Sequence, residues 1–217
     1  IGEQVNLWTW FWSVSVTAPF RTSSQRSFMP RMRILTASEQ EAFSKPPLFN
    51  HCERKKFFAL PRALLDMAQN IRSADHQVGF LVSCGYFRAT RRFFAPTDFE
   101  SRDVAYVANQ LGYDDVSARI YPDRTRQRHQ QLILDFYGFS PFDEAAKKVL
   151  SVEIITMARM HLKPRLIFDR CIDFLIQRRI QVPTVRSLTD MIRAGLQERK
   201  IELVVLMDFH LTYEART

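Results

Sequence analysis

The chain has 217 residues, 46% of them hydrophobic, with 31 Lys and Arg against 23 Asp and Glu and a formal net charge of +8. That apolar content is enough for a packed core and argues against a disordered chain, while the basic balance favours phosphate-bearing or acidic partners. Three distant cysteines and five histidines without ligand spacing exclude a disulfide framework and a readable metal knuckle, so no metal and no cofactor is expected, and a reducing cytoplasm fits.

Residues 1–28 read differently from the rest. Val5 to Phe20 is apolar and carries Trp8, Trp10 and Trp12, but Asn6, Thr9, Ser13 and Ser15 break it below membrane length. It has Glu3 and no Lys or Arg ahead of it, unlike a secretory signal. The expectation is an upstream extension, with Met29 as the original start.

Beyond Met29, apolar residues recur at three and four positions between proline and glycine stops, which predicts helices and no sheet. Ser38 is read as the cap of a first short helix that Pro46-Pro47 stops. Cys52 to Phe58 and Pro61 to Ile71 follow as helices, and Ser73 is placed as the cap of a longer one over Ala74–Phe93, ended by Pro96. Asp98–Leu111 stops at Gly112, and Arg124–Tyr137, with Asp123 as its cap, stops at Gly138. Pro141-Phe142-Asp143 opens a helix to His161, Pro164 opens one through Arg178, and a turn at 180–183 leads into a last long helix, Ser187 to Phe209. The resulting expectation is an all-α, multi-helix bundle of two helical subdomains, 29–140 and 141–211, followed by a tail at 212–217.

Charge is patterned along this chain. From His161 to Lys200 there are nine Lys or Arg and four Asp or Glu, whereas Asp98 to Ala118 holds five acids and one Arg. The last two helices have the punctuation of a helix-turn-helix. In the second, Leu188, Ile192, Leu196 and Leu203 form an apolar stripe, while Arg193, Gln197 and Lys200 share another face, with Arg186 at its entrance. Arg and Gln read base edges, and Lys and Arg also hold phosphates, so these four and the neighbouring Lys163, Arg165, Arg178 and Arg179 are DNA-binding candidates. The competing reading is a solvated surface helix. Arg124, Arg126 and Arg128 at the start of an earlier helix are opposed by its dipole, which a phosphate partner would explain. Pairing with Asp123 and Asp135 explains them equally well. Arg88, Arg91 and Arg92 are weaker candidates, since cations at a helix C-terminus are favoured without any ligand. His129 and His161 read as packing or capping residues. No Gly-x-Ser-x-Gly, phosphate-loop or His-Glu-x-x-His pattern is present, so no catalytic residue is assigned.

The segments MPRMRILTASEQEAF, GYFRATRRFF, DVAYVANQLG, YPDRTRQRHQQLILDFYGFSPF and HLKPRLIFDRCIDFLIQRRIQVPTVRSLTDMI together resemble the N-terminal region of Tn-three family replicative transposases. The resemblance runs from Met29 to about Leu211. It implies helical modules that bind the terminal inverted repeats of a transposon as double-stranded DNA, in a bacterial, nucleoid-associated setting, with a second transposase protomer as a further partner. No membrane and no small-molecule substrate are implied. The family's metal-holding DDE triad lies in a later RNase-H-like region, so the resemblance carries no catalytic residue onto this chain, and the ending LTYEART departs from the family pattern. The expectation is a DNA-binding, non-enzymatic, truncated module; the alternatives are a helical assembly module, a decayed remnant or, last, a nuclease in its own right.

Overall fold

Frequent helix stops and scarce glycine give a helical molecule in the computed structural model, which describes residues 32–114, 116 and 122–214. The leader expected at 1–28, Tyr121 and residues 215–217 of the tail lie outside the described residues. Among the described residues there are nine α-helices: α1 (Ala37–Ser44), α2 (His51–Phe58), α3 (Arg62–Gln69), α4 (Ala74–Thr90), α5 (Ser101–Leu111), α6 (Asp123–Tyr137), α7 (Glu144–Arg159), α8 (Pro164–Gln177) and α9 (Val185–Glu214). A 3-10 turn, Pro96–Asp98, precedes α5, and Ser140 and Ile180 form an isolated parallel bridge. The fold is an all-α, multi-helix bundle.

Local chemistry sets most of the ends. Gly112 and Gly138 stop α5 and α6 in the left-handed conformation, φ 77° and 66°, and the Phe139 amide reaches back to the Leu134 carbonyl at 2.9 Å. Asp143 caps α7 by accepting the Ala146 amide at 2.9 Å.

Several expected ends move. The cap of α1 is Thr36, two residues before Ser38, and it forms a reciprocal pair with Glu39. Its hydroxyl accepts from the Glu39 amide while its own amide donates to Glu39. Asn50 and Glu53 form a second such box on α2. Asp123 lies inside the first turn of α6, held by Arg126 at 2.8 Å, and Pro122 takes the cap position instead. Helix α4 stops at Thr90, short of Phe93, because Arg91 turns left-handed at φ 60°. Ser73 occupies the cap position of α4 without a side-chain cap bond. Helix α3 ends at Gln69, and α5 begins at Ser101, the 3-10 turn taking the first residues expected of it. Helix α9 begins two residues before Ser187, its first turn held by Thr184, which accepts the Ser187 amide through its hydroxyl and the Leu188 amide through its carbonyl.

From Met32 onward the chain is one compact unit with two apolar clusters. The first is built from α2 to α6 around Phe58, Leu64, Phe80, Tyr86, Phe87 and Ile133. The aromatic rings of Phe58, Phe94 and Phe99 meet Tyr86 edge-on at 5.6–6.0 Å. Gly85 makes this possible, since a methyl group there would run into the Phe58 ring. A buried polar anchor joins three helices. Asp103, fully buried on α5, accepts from Arg54 of α2 at 2.6 Å and from the Tyr86 hydroxyl of α4 at 2.9 Å.

The second cluster is a three-helix bundle of α7, α8 and α9 around Leu150, Ile154, Phe168, Leu175, Leu188 and Ile192. Ile34 and Leu35, which precede the first cluster in the chain, pack here, and α1 continues the contact through Phe43, whose ring meets Phe168 at 5.3 Å. Helix α9 lies chiefly against α7. Gly195 allows the approach: a β-carbon there would stand 2.6 Å from Ile154 Cγ2. At 30 residues α9 is about 45 Å long, and it outruns the bundle.

Candidate nucleic-acid interface

Burial of Leu188, Ile192 and Gly195 against α7 and α8 fixes the rotation of α9. Arg186, Arg193, Gln197 and Lys200, spaced by three, four and seven, therefore fall together on the opposite, exposed face. Asp190 belongs to the same face. It pairs with Arg193 at 2.8 Å and with Arg186 at 3.8 Å, so part of the stripe's charge is neutralised. The sequence reading left Asp190 out, although its i,i+3 and i,i+4 spacing to the two arginines was legible. The connection between α8 and α9 covers residues 178–184, longer than the three or four residues of a tight helix-turn-helix.

At the start of α6, Arg124 and Arg128 are exposed one turn apart. Arg126 turns to Asp123, and its Nε is buried without a hydrogen-bond partner among the described residues. His129 packs inward, edge-on to Phe80 at 5.4 Å. Burial, then the neighbouring His76 and Arg128, push its pKa down to about 4, so it is neutral at physiological pH.

The remaining candidates divide between surface and scaffold. Lys163 is exposed at the cap position of α8, and Arg165 is shared between Glu39 at 3.5 Å and Asp169 at 3.4 Å. Arg178 rests its guanidinium on the Phe174 ring at 4.6 Å. Arg88 donates to the Ala59 carbonyl at 2.6 Å, and Arg91 to those of Phe87 and Arg88. Arg92 is turned furthest inward. It lies 3.8 Å from the centre of the Phe43 ring and donates to the Phe43 carbonyl, and burial draws its pKa down to about 10. Arg92 thus joins α1 to the end of α4.

The structure also brings together two basic segments far apart in the chain. The Val182 amide donates to the Arg91 carbonyl at 3.0 Å, and the Ser140 amide to the Arg179 carbonyl at 2.8 Å. Arg91 lies 5.4 Å from the Phe139 ring centre, so both arginines flank residues 138–140. Both hold left-handed backbone, φ 60° and 55°, which L-residues other than glycine, asparagine and aspartate seldom adopt.

Among the described residues no group of three His, Cys, Asp or Glu side chains is placed to hold a metal ion, and no helix is long and apolar enough to cross a membrane. Cys84 and Cys171 are buried free thiols with pKa values raised by burial, that of Cys171 to about 12, which makes them packing residues.

This helical frame has a counterpart among known families: residues 34–195 match the one described as Domain of unknown function (DUF4158). The chain belongs to the DUF4158 family. The DUF4158 match takes in Ile34 and Leu35, both apolar clusters, the basic start of α6 and the first part of α9, and it ends at Gly195. No curated protein matches the chain.

Proposed function

We propose that the chain is a double-stranded DNA-binding module that recognises the terminal inverted repeats of a transposon and carries out no catalytic step itself. The observation that carries this reading is the exposed stripe Arg186, Arg193, Gln197 and Lys200, held on a helix whose opposite face is locked into the bundle. A rigid helix presenting Arg and Gln over about 21 Å has the side chains and the reach to read base edges in a major groove. Arg124 and Arg128 at the N-terminus of α6 supply phosphate contacts, and Lys163 and Arg179 add further exposed cations. The resemblance to Tn-three family transposases, in which the DUF4158 domain is found, supports the choice of DNA end as ligand.

The test is a fluorescence-anisotropy titration of the full chain against terminal inverted-repeat duplexes of Tn-three elements and scrambled duplexes, at two salt concentrations. Tighter binding to the repeats, weakening steeply with salt, is expected. Arg193→Ala is expected to lower affinity for the repeat by about tenfold or more and to erode discrimination, whereas Arg124→Ala with Arg128→Ala weakens both duplexes alike and flattens the salt slope. Asp190→Asn releases Arg186 and Arg193 and is expected to strengthen binding to any duplex several-fold. Equal, salt-insensitive or absent binding overturns the reading in favour of a helical assembly module.

A further inference from the structure

Asp190 is out of place on a surface that only grips phosphates. It stands between Arg186 and Arg193 on the exposed face of α9, a turn from each, and its two carboxylate oxygens are divided between them. Oδ1 accepts from Arg193 Nη1 at 2.8 Å, and Oδ2 lies 3.8 Å from Arg186 Nε. Stability gives little reason for this arrangement. The Asp190 side chain is 58% exposed on the face turned away from the bundle, exposed i,i+3 and i,i+4 pairs contribute little, and aspartate is a poor helix former. A carboxylate at the centre of the stripe also repels the phosphate chain, so it weakens contact with DNA of any sequence.

We infer that Asp190 is a specificity-determining residue of the α9 stripe, which holds Arg193 for the edge of a guanine and turns phosphates away from it. The inference rests on the DNA reading above. The two arginines are held unequally: the Arg193 side chain is 42% exposed and bonded at 2.8 Å, whereas that of Arg186 is 91% exposed and stands 3.8 Å away. A long side chain fixed before binding loses less rotamer freedom on contact, so Arg193 is prepared for one geometry. Its bond to Asp190 uses Nη1, which leaves Nε and Nη2, a parallel pair of donors, for the O6 and N7 acceptors of guanine. Those acceptors carry no formal charge, so Asp190 does not oppose them, while a phosphate at the same place meets the carboxylate. Specificity is the difference between two affinities, and a group that weakens the wrong contact more than the right one widens it. Arg186, loosely held, keeps the freedom to follow the backbone.

The experiment is a fluorescence-anisotropy titration of the full chain on three kinds of duplex. These are terminal inverted repeats of Tn-three elements, a scrambled duplex, and repeats carrying 7-deazaguanine at one guanine at a time, which removes N7 alone. Wild type is expected to lose about fivefold or more at one such guanine. Asp190→Asn is expected to bind the scrambled duplex about tenfold tighter and the repeat about threefold tighter, so that discrimination falls. Its salt slope steepens by about one phosphate, with unchanged helical circular dichroism. Its loss at the 7-deazaguanine shrinks to about twofold or less. Asp190→Glu, which keeps the charge at the same spacing, is expected to retain the wild-type discrimination to within about twofold. Specific repeat binding that is indifferent to every 7-deazaguanine, or an Asp190→Asn gain equal on both duplexes, overturns the inference and leaves the DNA reading in place. A wild-type chain that binds the repeat and the scrambled duplex equally, or neither, overturns both.

Discussion

Asp103 shows how much rests on one carboxylate. It is fully buried and holds Arg54 and Tyr86, so three helices share a single charged acceptor. Asp103→Asn keeps the shape but leaves Arg54 without its counter-charge, and is expected to destabilise the fold by about 3 kcal/mol in urea denaturation. His129 acts in the opposite sense. Its folded pKa of about 4 lies below the ordinary 6.5, so the unfolded chain takes up the proton first as pH falls. Stability is therefore full above pH 6.5 and is lost as pH drops from there toward 4, by about 3 kcal/mol at most. Urea midpoints at about pH 7.5 and about pH 5 check this, and His129→Phe should flatten the difference. The sequence reading already had His129 as a packing residue. What it could not supply was the partner, because Phe80 reaches it only through the packing of α4 on α6.

At the scale of elements, the helices were legible wherever glycine or proline punctuates: Gly112, Gly138 and Pro164 each stand where the structure stops or starts a helix. Caps were harder. At α1 two hydroxyl residues each stand three ahead of a glutamate, Thr36 before Glu39 and Ser38 before Glu41, so the spacing alone does not choose between them, and the structure forms the box on Thr36. The sequence reading runs the last helix from Ser187 to Phe209, through Gly195, and the structure extends it at both ends, to Val185–Glu214. Gly195 is the point of closest approach to α7, at Ile154, which is fully buried. Gly195→Ala gains about 1 kcal/mol of helix propensity but must displace Ile154, for a net loss of about 1–2 kcal/mol. In a double-mutant cycle, Gly195→Ala with Ile154→Ala is expected to cost less than the sum of the single changes, since the smaller neighbour makes room.

Across the whole molecule, the exposed arginine stripe of α9 was readable as a face, because helical periodicity alone decides which residues share it. The fate of Arg92 was not. Nothing local distinguishes it from Arg88, and only the return of Phe43 over its guanidinium makes it a clasp between α1 and α4. Arg92→Met is expected to lose about 1–3 kcal/mol and, in amide exchange, to deprotect α1 ahead of α4. The nearness of Arg91 and Arg179 around residues 138–140 was hidden for the same reason: it arises from the Ser140–Ile180 bridge, which has no sequence signal. The placement of Ile34, Leu35 and Phe43 in the second cluster has a kinetic consequence. These residues are synthesised before the first cluster, yet their partners on α7, α8 and α9 come after it, on the far side of the entire first cluster. The strap of Ile34, Leu35 and Phe43 must wait, its apolar side chains unsheltered, until the bundle of α7, α8 and α9 leaves the ribosome. Its docking closes the longest loop in the fold, making it the step most exposed to chaperones and most prone to capture by a neighbouring chain.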